Sequence, residues 1–251
     1  MRAIVLSAGQ GKRLLPLTAS RPKCLLEISD DHSLLNFQLE ALARCGVKHT
    51  TVLVGFGAEH VDHSVAESRF DGMEVTTLYN PFYTITDNLA TCWIARVAMT
   101  EDFILLNGDT VFEDDLLRRV LDAPQEPITV TVDRKPEYDA DDMKVTLDTD
   151  GRLRAIGKKL PLHTVDGESI GMLRFCGTGV QTYRDALDLA MHETESLNNW
   201  YLSVVNELAQ KIAVQTVSIE GLWWSEIDSA EDLDAVRGHF LQNGNGPDAT
   251  K

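Results

Sequence analysis

An apolar run, Ala3-Ile4-Val5-Leu6, passes directly into a glycine loop, Ser7-Ala8-Gly9-Gln10-Gly11-Lys12-Arg13, and no other feature restricts the fold of this chain as strongly. A continuous apolar run of that length suits a strand buried on both faces, as in parallel sheets covered by helices. Two glycines just past its end let backbone N–H groups approach a ligand closely. The loop carries Lys12 and Arg13, and Pro22-Lys23 follows after a short irregular segment. The 251 residues sum to a formal net charge of -16, yet the first 26 hold Arg2, Lys12, Arg13, Arg21 and Lys23 and no carboxylate. Cations gathered around a glycine turn in so acidic a chain predict a bound polyanion, in first place a nucleoside triphosphate.

The rest of the first half alternates strand and helix. Ser33 caps a predicted helix over Leu34–Arg44, stopped by Gly46. Apolar runs at 51–54, 75–79, 103–106 and 128–132 read as strands, separated by helical patterns at 58–68, 89–99 and 114–121. The alternation predicts an α/β fold of Rossmann type, three layers α/β/α around a mostly parallel sheet. The second half changes character. Short strands at 143–147, 153–156 and 172–175 predict a small antiparallel, acceptor-binding extension folded over the ligand edge. Helices at 183–191 and 201–211 and a strand at 213–217 follow, and Ser229-Ala230-Glu231-Asp232 has the capping-box pattern that opens a last helix. One domain over 1–242 is expected, with a nucleotide-binding half at about 1–135, an acceptor part at about 136–220, a metal-site strand and final helix at 221–242, and a flexible tail at 243–251.

Composition removes several classes. The acidic balance argues against nucleic acid and against an anionic membrane surface. Four scattered cysteines without a C-x-x-C pair predict reduced thiols in a cytoplasmic protein rather than zinc or disulfides. No apolar run reaches the roughly 18 residues of a membrane span.

Three phosphate-loop chemistries compete for the N-terminus. A P-loop would need a Ser or Thr after Gly11-Lys12, where Arg13 stands. A dinucleotide loop would need a third glycine, where Leu14 stands, and an immediate helix, which Pro16 denies. The remaining pattern, G-x-G-x-R followed by P-K about ten residues on, uses every cation: loop amides and Arg13 hold a triphosphate, and Lys23 points at the reacting phosphorus. A non-catalytic nucleotide-binding domain would tend to lose Lys23 or the carboxylates described below, and this chain keeps them.

Residues 3–26 resemble the signature of the nucleotidyltransferases that activate sugar phosphates and related phosphate esters. Within that superfamily the chain is most similar to the phosphocholine and inositol-phosphate cytidylyltransferase branch, on Asn80-Pro81-Phe82-Tyr83, Asp87-Asn88-Leu89, Trp93-Ile94-Ala95-Arg96, Gly157-Lys158 and Gly167-Glu168-Ser169-Ile170-Gly171. The resemblance implies transfer of a nucleotidyl group, CTP in first place, to a small phosphate ester or phosphonate, phosphocholine-like, with pyrophosphate released. Sugar or inositol phosphates with CTP, UTP or dTTP form the alternative. It implies Lys23 and Arg13 as catalytic residues. The nucleotide would be held by Leu6, Ala8, Gly9, Gly11, Lys12, Arg13, Gly55, Asn88 and Gly108. A homodimer is the assembly to test for.

Charge that develops in phosphoryl transfer calls for a hard cation held by carboxylates. Asp109 lies just past an apolar strand, where open sheets bind ligands. Glu226 and Asp228 flank Ile227, and residues two apart in extended chain point the same way. The resemblance puts Mg²⁺ on Asp109 and Asp228 with Glu226 as third ligand, although Asp228 and Ser229 both suit the cap of the last helix. It also implies Lys158 as the grip on the acceptor phosphate, with Lys144 next. Glu168 and Trp224 are further acceptor-binding candidates.

Overall fold

The computed structural model describes residues 1–30 and 32–243. β1 (Arg2–Ser7), β2 (His49–Val54), β3 (Glu74–Tyr79) and β4 (Phe103–Asn107) form a parallel block in which β1 is central, paired with β2 and β4. β6 (Ile128–Asp133) and β10 (Gln215–Ser218) pair in parallel further out. Between the two blocks lies β9 (Gly167–Phe175), antiparallel to both β4 and β6. Across the main sheet the order is therefore β10-β6-β9-β4-β1-β2-β3.

Alternation along β1 shows how the layers are held. Ala3 and Val5 join Leu35, Leu39 and Leu42 of α1 (Leu34–Arg44), Val61 of α2 (Ala58–Glu67) and Leu116, Leu117 and Val120 of α4 (Asp114–Asp122). Ile4 turns to the opposite face. There it joins Leu89 and Cys92 of α3 (Asn88–Ala95), Val180, Tyr183 and Leu187 of α5 (Thr178–Ala190) and Val204, Val205 and Leu208 of α6 (Leu202–Ala209). Successive strand residues point to opposite faces, so one all-apolar strand feeds both cores. Ser33 caps α1 as expected, its hydroxyl accepting from the Asn36 amide at 3.2 Å.

The antiparallel extension exists but is smaller than expected. β7 (Lys144–Leu147) pairs with β8 (Leu153–Gly157) and with the first residues of β9. Residues 172–175, expected in that extension, lie instead in the middle of the main sheet. Every residue of β9 is buried, and Gly167 and Gly171 give its first half the look of a loop. β5 (Thr110–Phe112), which has no sequence signal of its own, and β11 (Trp224–Glu226), the strand expected within 221–242, pair antiparallel in a separate small sheet.

α7 (Ala230–Asn243) packs back on the N-terminus. Leu233, Val236 and Phe240 share a cluster with Leu14, Leu26, Ile28, Leu34 and Phe37. The helix runs through Asn243, and the rest of the expected tail lies outside the described residues. All four cysteines are free thiols. Among the described residues, no helix is long and apolar enough to cross a membrane.

Candidate active site

The site gathers at the carboxyl ends of β1 and β4, which run side by side with Leu6 opposite Asn107. The Gly108 amide donates to the Leu6 carbonyl at 3.0 Å, and a Cβ on Gly108 would fall 2.2 Å from Ser7 Oγ. Only glycine lets the two strand ends run this close, and the closeness sets Asp109 beside the glycine loop. Gly11 sits at φ 72°, and a Cβ there would come 2.9 Å from Lys23 Cβ. Its absence lets the lysine stem lie across the loop.

Lys23 Nζ bridges two carboxylates, at 3.0 Å from Asp109 Oδ2 and 2.7 Å from Asp228 Oδ1. Burial alone would lower its pKa, but the two carboxylates outweigh burial and raise it above its ordinary value. Asp228 is shifted the other way: burial pushes it up, yet Lys23 and then Arg13 hold it below the usual carboxylate range. Arg13 reaches Asp228 at 2.8 Å and Asp141 at 3.3 Å. Glu226 is pushed up to about 8, first by burial and then by the charges of Asp109 and Asp228.

Asp228 is free for this work because another residue caps α7. The Asp232 amide donates to Ser229 Oγ at 3.2 Å, and the Asp232 carboxylate accepts from the amides of Ser229 at 2.8 Å and Asp228 at 3.0 Å. Aspartate thus fills the acidic position of the capping box. The short β5–β11 pairing sets Glu226 opposite Thr110, and the Ile227 amide donates to the Asp109 carbonyl at 3.0 Å. Two chain segments far apart in sequence are fastened at the point where their carboxylates are needed.

Two cavities meet at these groups. The larger, about 450 Å³, is lined by Leu6, Gly9, Gly11, Lys12, Lys23 and Gly108 among others. The smaller, about 180 Å³, is lined by Lys158, Glu168, Trp200, Trp224 and Glu226 among others. Arg13, Asn88, Asn107, Asp109 and Asp228 line both. A molecule in one cavity therefore faces a molecule in the other across the Lys23–Asp109–Asp228 cluster.

Residues 2–147 match the family model described as nucleotidyl transferase. The chain belongs to that family. A protein of Campylobacter jejuni named CTP:phosphoglutamine cytidylyltransferase is 26% identical over 261 residues, 93% of this chain and 98% of the relative. The fold matches that of a CTP:phosphocholine cytidylyltransferase from Streptococcus pneumoniae at TM-score 0.74 and 20% identity, over 95% of this chain and 98% of that one. An inositol-1-phosphate CTP transferase from T. maritima matches at TM-score 0.78 and 20% identity, over 94% of each chain.

As a nucleotidyltransferase, the protein brings together most of the residues its sequence singled out, with three placed elsewhere. Gly55 lies behind the loop, where the Phe56 amide donates to the Ala8 carbonyl at 3.0 Å, and it lines a separate open cavity with Tyr79 and Tyr83. Ala8 is buried in that same support. Lys144 is buried, and its ammonium donates to the carbonyls of Lys158 at 2.9 Å and Asp142 at 3.2 Å, which holds the Lys158 segment instead of facing a cavity. Lys158 itself stands 3.4 Å from Asp141 and 4.7 Å from the Trp200 ring centroid. Trp224 donates its indole N–H to Asp133 at 2.7 Å. Glu168 shares Lys135 with Asp142, at 3.0 Å and 2.8 Å.

Sequence reasoning missed Asn107, Gln38 and Asp141. The Asn107 side chain accepts from the Tyr201 hydroxyl at 3.1 Å. Gln38, fully buried on the apolar side of α1, donates to the carbonyls of Asn107 at 2.9 Å and Thr110 at 2.8 Å and so clamps the turn that carries Asp109. An amide on the face of α1 shared with Leu34, Leu35 and Leu42 was the available signal.

Proposed function

We infer that the protein is a cytidylyltransferase: it joins CTP to a small phosphate monoester or phosphonate and releases pyrophosphate. The observation that carries the reading is the meeting of two cavities at one cationic and carboxylate cluster. The larger cavity has the glycine loop, Lys12 and Arg13 for a triphosphate, and the smaller has Lys158 for an acceptor phosphate. An acceptor oxygen attacks the α-phosphorus in line, and the pyrophosphate departs with the bonding electrons toward Lys12 and the amides of the glycine loop. A phosphate dianion is already a nucleophile, so positioning and charge stabilisation carry the catalysis. Lys23, at the junction, stabilises the charge on the reacting phosphoryl group.

Magnesium is the cofactor of this reading, with Asp109 and Asp228 as its ligands and Glu226 beside them. The residues fit a hard cation: Asp109 Oδ1 is buried without a hydrogen-bond partner, and burial followed by the charges of Asp109 and Asp228 raises Glu226. Among the described residues no three His, Cys, Asp or Glu side chains are placed to hold an ion together, so the ion would take one or two carboxylates and leave the rest of its shell to phosphate and water. When bound, the ion neutralises charge shared by the attacking and leaving oxygens.

The small second cavity favours a compact acceptor, and the acidic Asp142 and Glu168 beside it favour one with a cationic or hydroxylated tail. The names of the relatives, phosphoglutamine and phosphocholine, both describe small zwitterionic phosphate compounds. A phosphocholine-like acceptor heads the candidates. The test is pyrophosphate release with each nucleoside triphosphate against phosphocholine, phosphoethanolamine, phosphoglutamine, aminoethylphosphonate, inositol phosphate and sugar 1-phosphates. Release with CTP and a zwitterionic acceptor is expected. Release only with UTP or dTTP and a sugar 1-phosphate would overturn the assignment.

A further inference from the structure

We propose that Asp141 is an internal stand-in for the acceptor's phosphate: its carboxylate bridges Arg13 and Lys158, and the phosphate takes that position by displacing it. The proposal rests on the reading above, that a phosphate enters the smaller cavity.

Asp141 Oδ2 lies 3.3 Å from the Arg13 guanidinium and Oδ1 lies 3.4 Å from Lys158 Nζ. The two cations come from segments far apart in sequence and converge on a single small anion. Both line the smaller cavity, as Asp141 does. A pair of cations set to share one carboxylate is set to share one phosphate, which offers three oxygens and a second charge to the same donors.

The surroundings divide into fixed and movable parts. The Asp141 backbone is held: Asp139 Oδ1 accepts from the amides of Asp141 at 2.7 Å and Asp142 at 3.2 Å, and Asp142 is tied to Lys135. Lys158 is held by the Trp200 ring and by the bond from Lys144 to its carbonyl. The Asp141 side chain is 72% exposed, so its two ion pairs are weak and screened by solvent. A rotation of that side chain toward solvent suffices to free both cations while the turn beneath it stays in place. Asp141 thus competes weakly with anions and lowers their affinity without blocking the cavity.

Inorganic phosphate titrated calorimetrically, without nucleotide, into the parent protein, Asp141→Asn and an Asp141→Asn/Lys158→Gln double variant tests this. Phosphate is expected to bind Asp141→Asn about three- to tenfold more tightly than the parent, the range that two exposed ion pairs allow. The gain should vanish in the double variant. Equal or weaker binding in Asp141→Asn overturns the proposal, as does absence of binding in all three proteins. A gain that survives Lys158→Gln puts the phosphate on the glycine loop and also overturns it. The titration needs neither CTP nor an acceptor ester, so its failure and failure of the acceptor panel are separate results.

Discussion

Lys23 illustrates how one residue carries more than its sequence signal suggests. Its place after Pro22 and the cationic loop pointed to a phosphate, whereas the structure sets its ammonium between two carboxylates. Removing the charge should cost turnover more than binding: Lys23→Ala is expected to lower kcat by about 10²- to 10³-fold, the usual loss when one donor to a developing charge is deleted. CTP affinity, measured by direct titration, should change far less, and near-normal kcat would remove Lys23 from the reacting centre. Glu168 gives a second prediction. It shares one ammonium with Asp142, and Lys135 cannot neutralise both carboxylates. Burial, countered by Lys135, therefore pushes Glu168 up to about 7 from an ordinary 4.5. A carboxyl whose pKa rises on folding binds its proton more tightly in the folded state, so stability falls as pH climbs from about 4.5 to about 7 and levels off above. Glu168→Gln should flatten that slope, seen as a smaller difference between denaturant midpoints at about pH 5 and about pH 8. A slope equal to the parent's would place the titrating group elsewhere.

At the scale of elements, the start of α7 separates a structural residue from a functional one. Ser229 makes the cap and Asp228 faces the site, although both were candidates for the cap on sequence alone. Ser229→Ala is expected to lower stability by about 1 kcal/mol, read from chemical denaturation. Asp228→Ala is expected to leave the thermal midpoint near that of the parent and to remove metal-dependent activity. The opposite pattern, a destabilised Asp228→Ala that stays active, would make Asp228 the cap. The longer elements were legible because their signals are local: α1 begins and ends where Ser33, the leucine spacing and Gly46 indicate. β5 was not, because three residues carry no periodicity, and its pairing with β11 is decided by a contact between distant segments. The same holds for β9, whose place between β4 and β6 follows from complete burial rather than from its own pattern.

Over the whole molecule, the catalytic loop and the final helix stabilise each other. Phe240 stands edge-on to Phe37 with ring centroids 5.2 Å apart, in the cluster that also holds Leu14 of the loop, and Arg237 donates to the Glu27 carbonyl at 2.8 Å. Phe240→Ala is expected to cost roughly 3–5 kcal/mol. Because Leu14 loses a neighbour in the cluster that anchors the loop, KM for the nucleotide should rise as well. A stability loss with an unchanged KM would show that the loop is held without α7. The loop's chemistry was legible at the scale of the chain because glycine and cation patterns are local. The smaller cavity was less so, since Asp141, Lys158 and Trp200 come from three separate stretches and only the folded backbone brings them to one place.

The pairing of β5 with β11 also sets a schedule. Lys23 and Asp228 stand 205 residues apart in sequence and 2.7 Å apart in space. On the ribosome, where chains lengthen by about 5–20 residues per second, the cationic loop emerges well before its carboxylate partner. During that interval Lys23 lacks one of the two carboxylates it bridges in the finished fold. The cluster is complete only once residues 224–227 pair with 109–112, so the whole site depends on the last fifth of the chain.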